Sequence, residues 1–166
     1  MEEKYLHLTE IEKSQIAMAI DCEGCISVTP TLLKKHWAFS TKTFIANTNL
    51  IFLNWINNLI GLGNVVFVHK SPKYKGIYVT DNWKKQYIWV IYATDMRKLL
   101  PIIYPYLIIK KDIALLTIEF LSLTKGKGYH LNEVQQIRRL EIFNELRKLN
   151  WRGTTEFIPF NFDRIK

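Results

Sequence analysis

Apolar and polar residues along this 166-residue chain follow two alternating periods, and each change of period marks an element. Helical spacing runs from about 10 to 23, where Thr9 and Glu12 form a capping box at the start and Gly24 supplies the stop. From Cys25 to Thr31 the period drops to two. Ile26 and Val28 fall on one side and Cys25, Ser27, Thr29 and Thr31 on the other, while Pro30 ends the strand or sets it at an edge. A second strand spans 36–46, with Trp37, Phe39 and Ile45 on one side and Ser40 and Lys42 on the other. Asn47 and Asn49 sit at the start of a helix over 49–60, which Gly61-Leu-Gly63 stops. Val65–Lys70 predicts a third strand, Ser71 to Trp83 a basic aromatic loop, and Lys85–Ala93 a fourth strand. Thr94 or Asp95 caps the next helix, which Pro101 and Pro105 interrupt. An apolar helix over 111–123, a turn at 125–128 and a charged amphipathic helix over 131–149 follow, and the chain is irregular from Trp151.

The order α-β-β-α-β-β-α-α-α places a pair of strands after a helix twice. It predicts an α+β fold: a four-stranded antiparallel sheet with helices on one face, plus C-terminal helices. The chain reads as a single domain over 1–166, with a core of about 9–123 and a helical extension of about 124–166. The uncovered sheet face then carries Ser27, Thr29, Thr31, Ser40, Lys42, His69, Lys84 and Gln86. A twisted sheet can lie in a duplex groove, where such side chains read base edges. The same residues also suit an ordinary solvated face.

Charge favours the first reading. Lys and Arg number 23 against 15 Asp and Glu, a net charge of +8 and a pI near 9.5, which points to a polyanionic partner. Hydrophobic residues at 48% exclude a disordered chain. The start lacks a signal-peptide pattern, and no apolar run reaches the roughly 18 residues of a membrane span. The expectation is a soluble intracellular protein, neither secreted nor membrane-bound. Cys22 and Cys25 match C-x-x-C, but there is no second pair to complete a zinc site, and the motif lies at the wrong end of a helix for thiolate chemistry. No glycine-rich phosphate loop or nucleophile motif supports a metabolic or redox enzyme.

The informative chemistry lies where the first helix ends. Asp21 and Glu23 stand two residues apart in its last turn, where negative charge opposes the helix dipole. A hard divalent cation bound by carboxylate and carbonyl oxygens would reverse that penalty, so the pair suggests a metal site.

Ile16-Ala-Met-Ala-Ile-Asp-Cys-Glu-Gly24 resembles the LAGLIDADG motif of homing endonucleases, with Met18 where the family prefers glycine. The element order from about 9 to about 123, Ile45-Ala-Asn-Thr-Asn-Leu50 and Tyr106-Leu-Ile-Ile-Lys-Lys111 extend the resemblance. It implies an αββαββα fold with a saddle-shaped sheet, and metal-dependent hydrolysis of double-stranded DNA using Mg²⁺ or Mn²⁺. Glu23 would bind the metal with help from the backbone carbonyl of Cys22, and Asp21 would close the helix. Lys110, with Lys111 as its competitor, would support the attacking water or the phosphate. Asn47, or less well Asn49, would organise solvent at the metal.

The resemblance further implies DNA contacts from the open sheet face and from Lys34, Lys35, Lys70, Lys73, Tyr74, Lys75 and Trp83. With one acidic motif in the chain, it implies a homodimer packed through Ile16, Ala17, Ala19 and Ile20, a long pseudo-palindromic target, and a break with short 3′ overhangs. Intron homing, and hence an intron-encoded origin, follows from the same resemblance. A non-cleaving relative, either an intron RNA maturase or a DNA-binding regulator, is the alternative.

Overall fold

The computed structural model describes residues 4–33, 36–68, 73–74, 77–78, 84–123, 131–151 and 156–160. Its first helix, α1 (Glu10–Glu23), starts as its sequence requires. Thr9 is extended, its hydroxyl accepts the Glu12 amide, and the Glu12 carboxylate accepts the Thr9 amide at 2.8 Å. Both hydrogen bonds satisfy amides that a helix start leaves without partners.

Strands β1 (Gly24–Leu33) and β2 (His36–Asn47) form an antiparallel pair, and α2 (Leu50–Ile60) follows with Asn49 as its cap. Then come β3 (Asn64–Phe67), the two-residue strands β4 (Lys73–Tyr74) and β5 (Ile77–Tyr78), and β6 (Tyr87–Tyr92). The main sheet has the order β1-β2-β6-β3 and is antiparallel throughout, while β4 and β5 pair separately. Pro30 does not end β1. It sits opposite Phe39 in an edge strand, the place in a sheet where proline is tolerated.

Helices α3 (Ala93–Ile103) and α4 (Lys111–Ser122) join α1 and α2 against one face of the sheet. The pleat sends Ile26, Thr43, Ile45, Trp89 and Ile91 to that side, all of them buried with Ile16, Ile20, Leu53, Ile56 and Leu99. Gly63 adopts φ +84° beneath Trp89, whose indole N–H donates to the Leu62 carbonyl at 3.1 Å. A Cβ there would lie 2.6 Å from the Val90 carbonyl, so only glycine fits. The cap of α3 differs from expectation: Tyr92, not Thr94 or Asp95, precedes the first turn and makes no capping bond.

The last helix, α5 (Glu133–Leu149), packs Ile142, Phe143 and Leu146 against Phe120 of α4. Its arginines are used within the protein. Arg138 pairs with Glu119 at 2.7 Å and with Glu141 at 3.1 Å. Arg139 packs over the rings of both Phe39 and Phe120, at 5.0 and 4.3 Å, and burial lowers its pKa to about 10. Arg147 donates to the Ile158 carbonyl. This helix therefore covers the core.

Candidate active site

The site is built where α1 runs into β1. Asp21 is buried, and its carboxylate accepts the backbone amides of Ile108, Ile109 and Lys110 at 2.7, 3.2 and 2.8 Å. Charge-assisted bonds to amides at the start of α4 explain how an acid persists in the last turn of α1. The Lys110 ammonium donates in turn to the Asp21 carbonyl, adding positive charge at the negative end of that helix. Gly24 is needed here for space. Its backbone is extended, with φ −88°, yet a Cβ would sit 2.8 Å from the backbone of Ile20.

Glu23 differs from Asp21. It is exposed and makes no hydrogen bond or ion pair among the described residues. Cys22, Glu23, Cys25 and Lys110 line one open cleft, together with Ile109, Ile113 and Asn150. Burial pushes the Cys25 thiol up, with Lys110 and Lys42 pulling the other way, so both ammonium groups are felt inside the cleft. Lys111 points elsewhere, its ammonium 5.4 Å from the Tyr104 ring. Asn47 ends β2 two residues past Ile45, the partner of Gly24. Its side-chain oxygen accepts the Asn49 amide at 2.8 Å, so it braces the turn into α2 and does not line the cleft. The contribution of Asn150, from the end of α5, has no signature in the sequence.

A carboxylate free of partners beside helix-end carbonyls is a hard oxygen donor set that suits Mg²⁺ or Mn²⁺. It is also incomplete: among the described residues no three His, Cys, Asp or Glu side chains cluster to hold a metal.

On the open sheet face, Thr29, Thr31 and Ser40 are exposed and Ser27 and Lys42 half-buried, while Lys84 is exposed and Gln86 half-buried just before β6. Lys34, Lys35, His69, Lys70, Lys75 and Trp83 lie outside the described residues, and for Lys73 and Tyr74 only the backbone is described.

The expected contact between two copies needs correction. Ile16, Ala17 and Ile20 are fully buried within the chain, because they form the stripe of α1 that faces its own sheet, whereas Ala19 lies at the border of that stripe and reaches the outward side. The outward stripe is Ser14, Gln15 and Met18, which with Ala19 and with Phe52 and Trp55 of α2 lines a shallow apolar groove.

No protein-family model matches the sequence, and no curated protein does. Solved structures do match. The homing endonuclease I-CvuI, in complex with a DNA target in 2 mM Mg, superposes with a TM-score of 0.67 at 15% identity, over 90% of this chain and 88% of that one. The archaeal intron-encoded homing endonuclease I-Vdi141I, complexed with DNA, gives 0.68 at 18% identity over 90% of each chain. The LAGLIDADG meganuclease I-CpaMI, bound to uncleaved DNA, gives 0.63 at 16% identity over 81% of this chain but only 43% of its own. Likeness at such identities is a matter of architecture, and in architecture this chain is a LAGLIDADG homing endonuclease fold.

Proposed function

We propose that the protein is a metal-dependent DNA endonuclease that cuts both strands of a long pseudo-palindromic site as a homodimer. The observation carrying this reading is the division of labour between two acids of one helix end. Asp21 is consumed in holding the Lys110 segment, whereas Glu23 is left free in the same cleft as the Lys110 ammonium. A fold needs the first acid but has no use for the second.

Glu23 and the Cys22 carbonyl would hold Mg²⁺ or Mn²⁺, which when bound lowers the pKa of an attacking water and stabilises the leaving 3′ oxygen. Lys110, fixed against α1, holds positive charge where the scissile phosphate develops negative charge. One such donor set is too small, and a two-fold dimer supplies a second at the same DNA region. Support for pairing comes from I-CpaMI, of which this chain spans less than half. The surface formed by exposed Met18 and Trp55 and half-buried Phe52 is a face available for it.

A duplex library incubated with Mg²⁺, Ca²⁺ or EDTA tests the reading, with cut ends sequenced. Cleavage in Mg²⁺ alone, lost in Glu23→Gln while DNA is still bound, is expected. Retention of DNA without cutting in any metal would make the chain a maturase-like or regulatory binder.

A further inference from the structure

The open face of the sheet is not uniformly polar, and the register shows where it changes. Far from the cleft the rows across the sheet are Thr31–Ala38 and Thr29–Ser40, then Ser27–Lys42–Tyr92. Beside Gly24 and the cleft they become Cys25–Phe44–Val90–Asn64 and then Ala46–Ile88–Val66. Each lies on the face opposite Ile26, Thr43, Ile45, Trp89 and Ile91, so the helices do not account for them. Tyr92 and Val66 are 55% and 45% exposed, Phe44 and Ile88 are half-buried, and Val90 is buried beneath them. The Lys42 ammonium sits 5.0 Å above the Phe44 ring, and the exposed Lys84 precedes β6.

An apolar patch set in a basic, hydroxyl-lined face suits a polyanion with apolar groups in its groove. In the DNA major groove one base has such a group: the C5-methyl of thymine. A guanine or cytosine edge pressed against Phe44 or Val66 would lose water from its donors and acceptors and gain no partner.

We infer that Phe44 and Val66, in the rows level with the cleft, read the base pairs nearest the cut through thymine methyl groups, whereas the Ser and Thr rows read the distal pairs by hydrogen bonds. The inference rests on the DNA reading above and adds to it a half-site rich in A·T pairs next to the scissile phosphates.

Selection of duplexes from a random library in Ca²⁺, followed by replacement of thymine with deoxyuridine in the selected site, tests it. Expected are A·T pairs at the cleft-proximal positions and a roughly three- to tenfold loss of affinity when those methyls are removed. Distal replacements should change affinity less than twofold. Val66→Gln and Phe44→Gln should lose the discrimination against deoxyuridine, and the exposed position of Val66 keeps the first variant folded. Proximal G·C preference, or indifference to the methyl in a chain that binds its selected site, would overturn the inference alone. Failure to retain any duplex at low salt would overturn it together with the DNA reading.

Discussion

Asp21 and Lys110 are locked to each other twice: the carboxylate of the first accepts the backbone amide of the second, and the ammonium of the second donates to the backbone carbonyl of the first. The end of α1 and the start of α4 therefore move as one unit, which carries Glu23 and Lys110 together. Replacing Asp21 with Asn should cost about 2–4 kcal/mol in chemical denaturation, since buried amides lose an ionised acceptor. Glu23→Gln, with nothing to lose in the fold, should stay within about 0.5 kcal/mol of the parent. Equal destabilisation by the two would refute the assignment of separate parts to the two acids.

The two adjacent lysines should separate cleanly. Lys110→Met removes the ammonium from the cleft and should lower the cleavage rate by about a hundredfold, with DNA affinity little changed. Lys111→Met removes a contact with Tyr104 and should leave the rate within about twofold. Single-turnover cleavage of a selected duplex measures both, and the reverse ranking would reassign the role.

Met18 is 54% exposed on the outward stripe of α1. Charge placed there has no place to go if two copies pack through this face, so Met18→Glu should weaken self-association at least tenfold by sedimentation. Ile51→Glu, at an exposed position of α2 that does not line the groove, should not. An unaltered assembly in Met18→Glu would move the contact to another surface.

Acid should unpick the start of α1. Bonds from the Thr9 amide and hydroxyl hold the Glu12 carboxyl below its usual value of 4.5. A carboxylate with a lowered folded pKa stabilises the protein above the unfolded value, and that contribution disappears as pH falls through the folded one. Between about pH 5 and pH 3 the parent should lose stability faster than Glu12→Gln, whose side chain does not titrate. Parallel urea-denaturation profiles across that window would show that ionisation of Glu12 contributes nothing to the capping box.

Local chemistry made much of this fold legible. The box at Thr9 and Glu12, the Asn49 cap and the alternation over Ile26 to Thr31 each depend on residues a few positions apart, and each stands where the pattern put it. Partners distant in sequence were hidden. Nothing near Asp21 announces that its acceptors serve residues 108–110, and nothing in α5 places Asn150 at the cleft. The hairpin of β4 and β5 was lost because strands of two residues leave no period to detect. Ile16, Ala17 and Ile20 of α1 form an apolar stripe, but periodicity alone does not say whether the chain's own sheet or a second copy fills it. Similarly, polar residue types mark the hydroxyl rows of the open face, but only the strand register places Phe44, Tyr92 and Val66 there.

The pleat of β1 and β2 also has a practical consequence. Neighbouring positions alternate between the interior and the open face, so under the DNA reading proposed above recognition and folding are encoded on interleaved but separate sets of letters. Rewriting Ser27, Thr29 and Ser40 to retarget the protein leaves Ile26, Thr43 and Ile45 untouched, and a library confined to the outer set can be screened for new preferences without a parallel screen for foldedness.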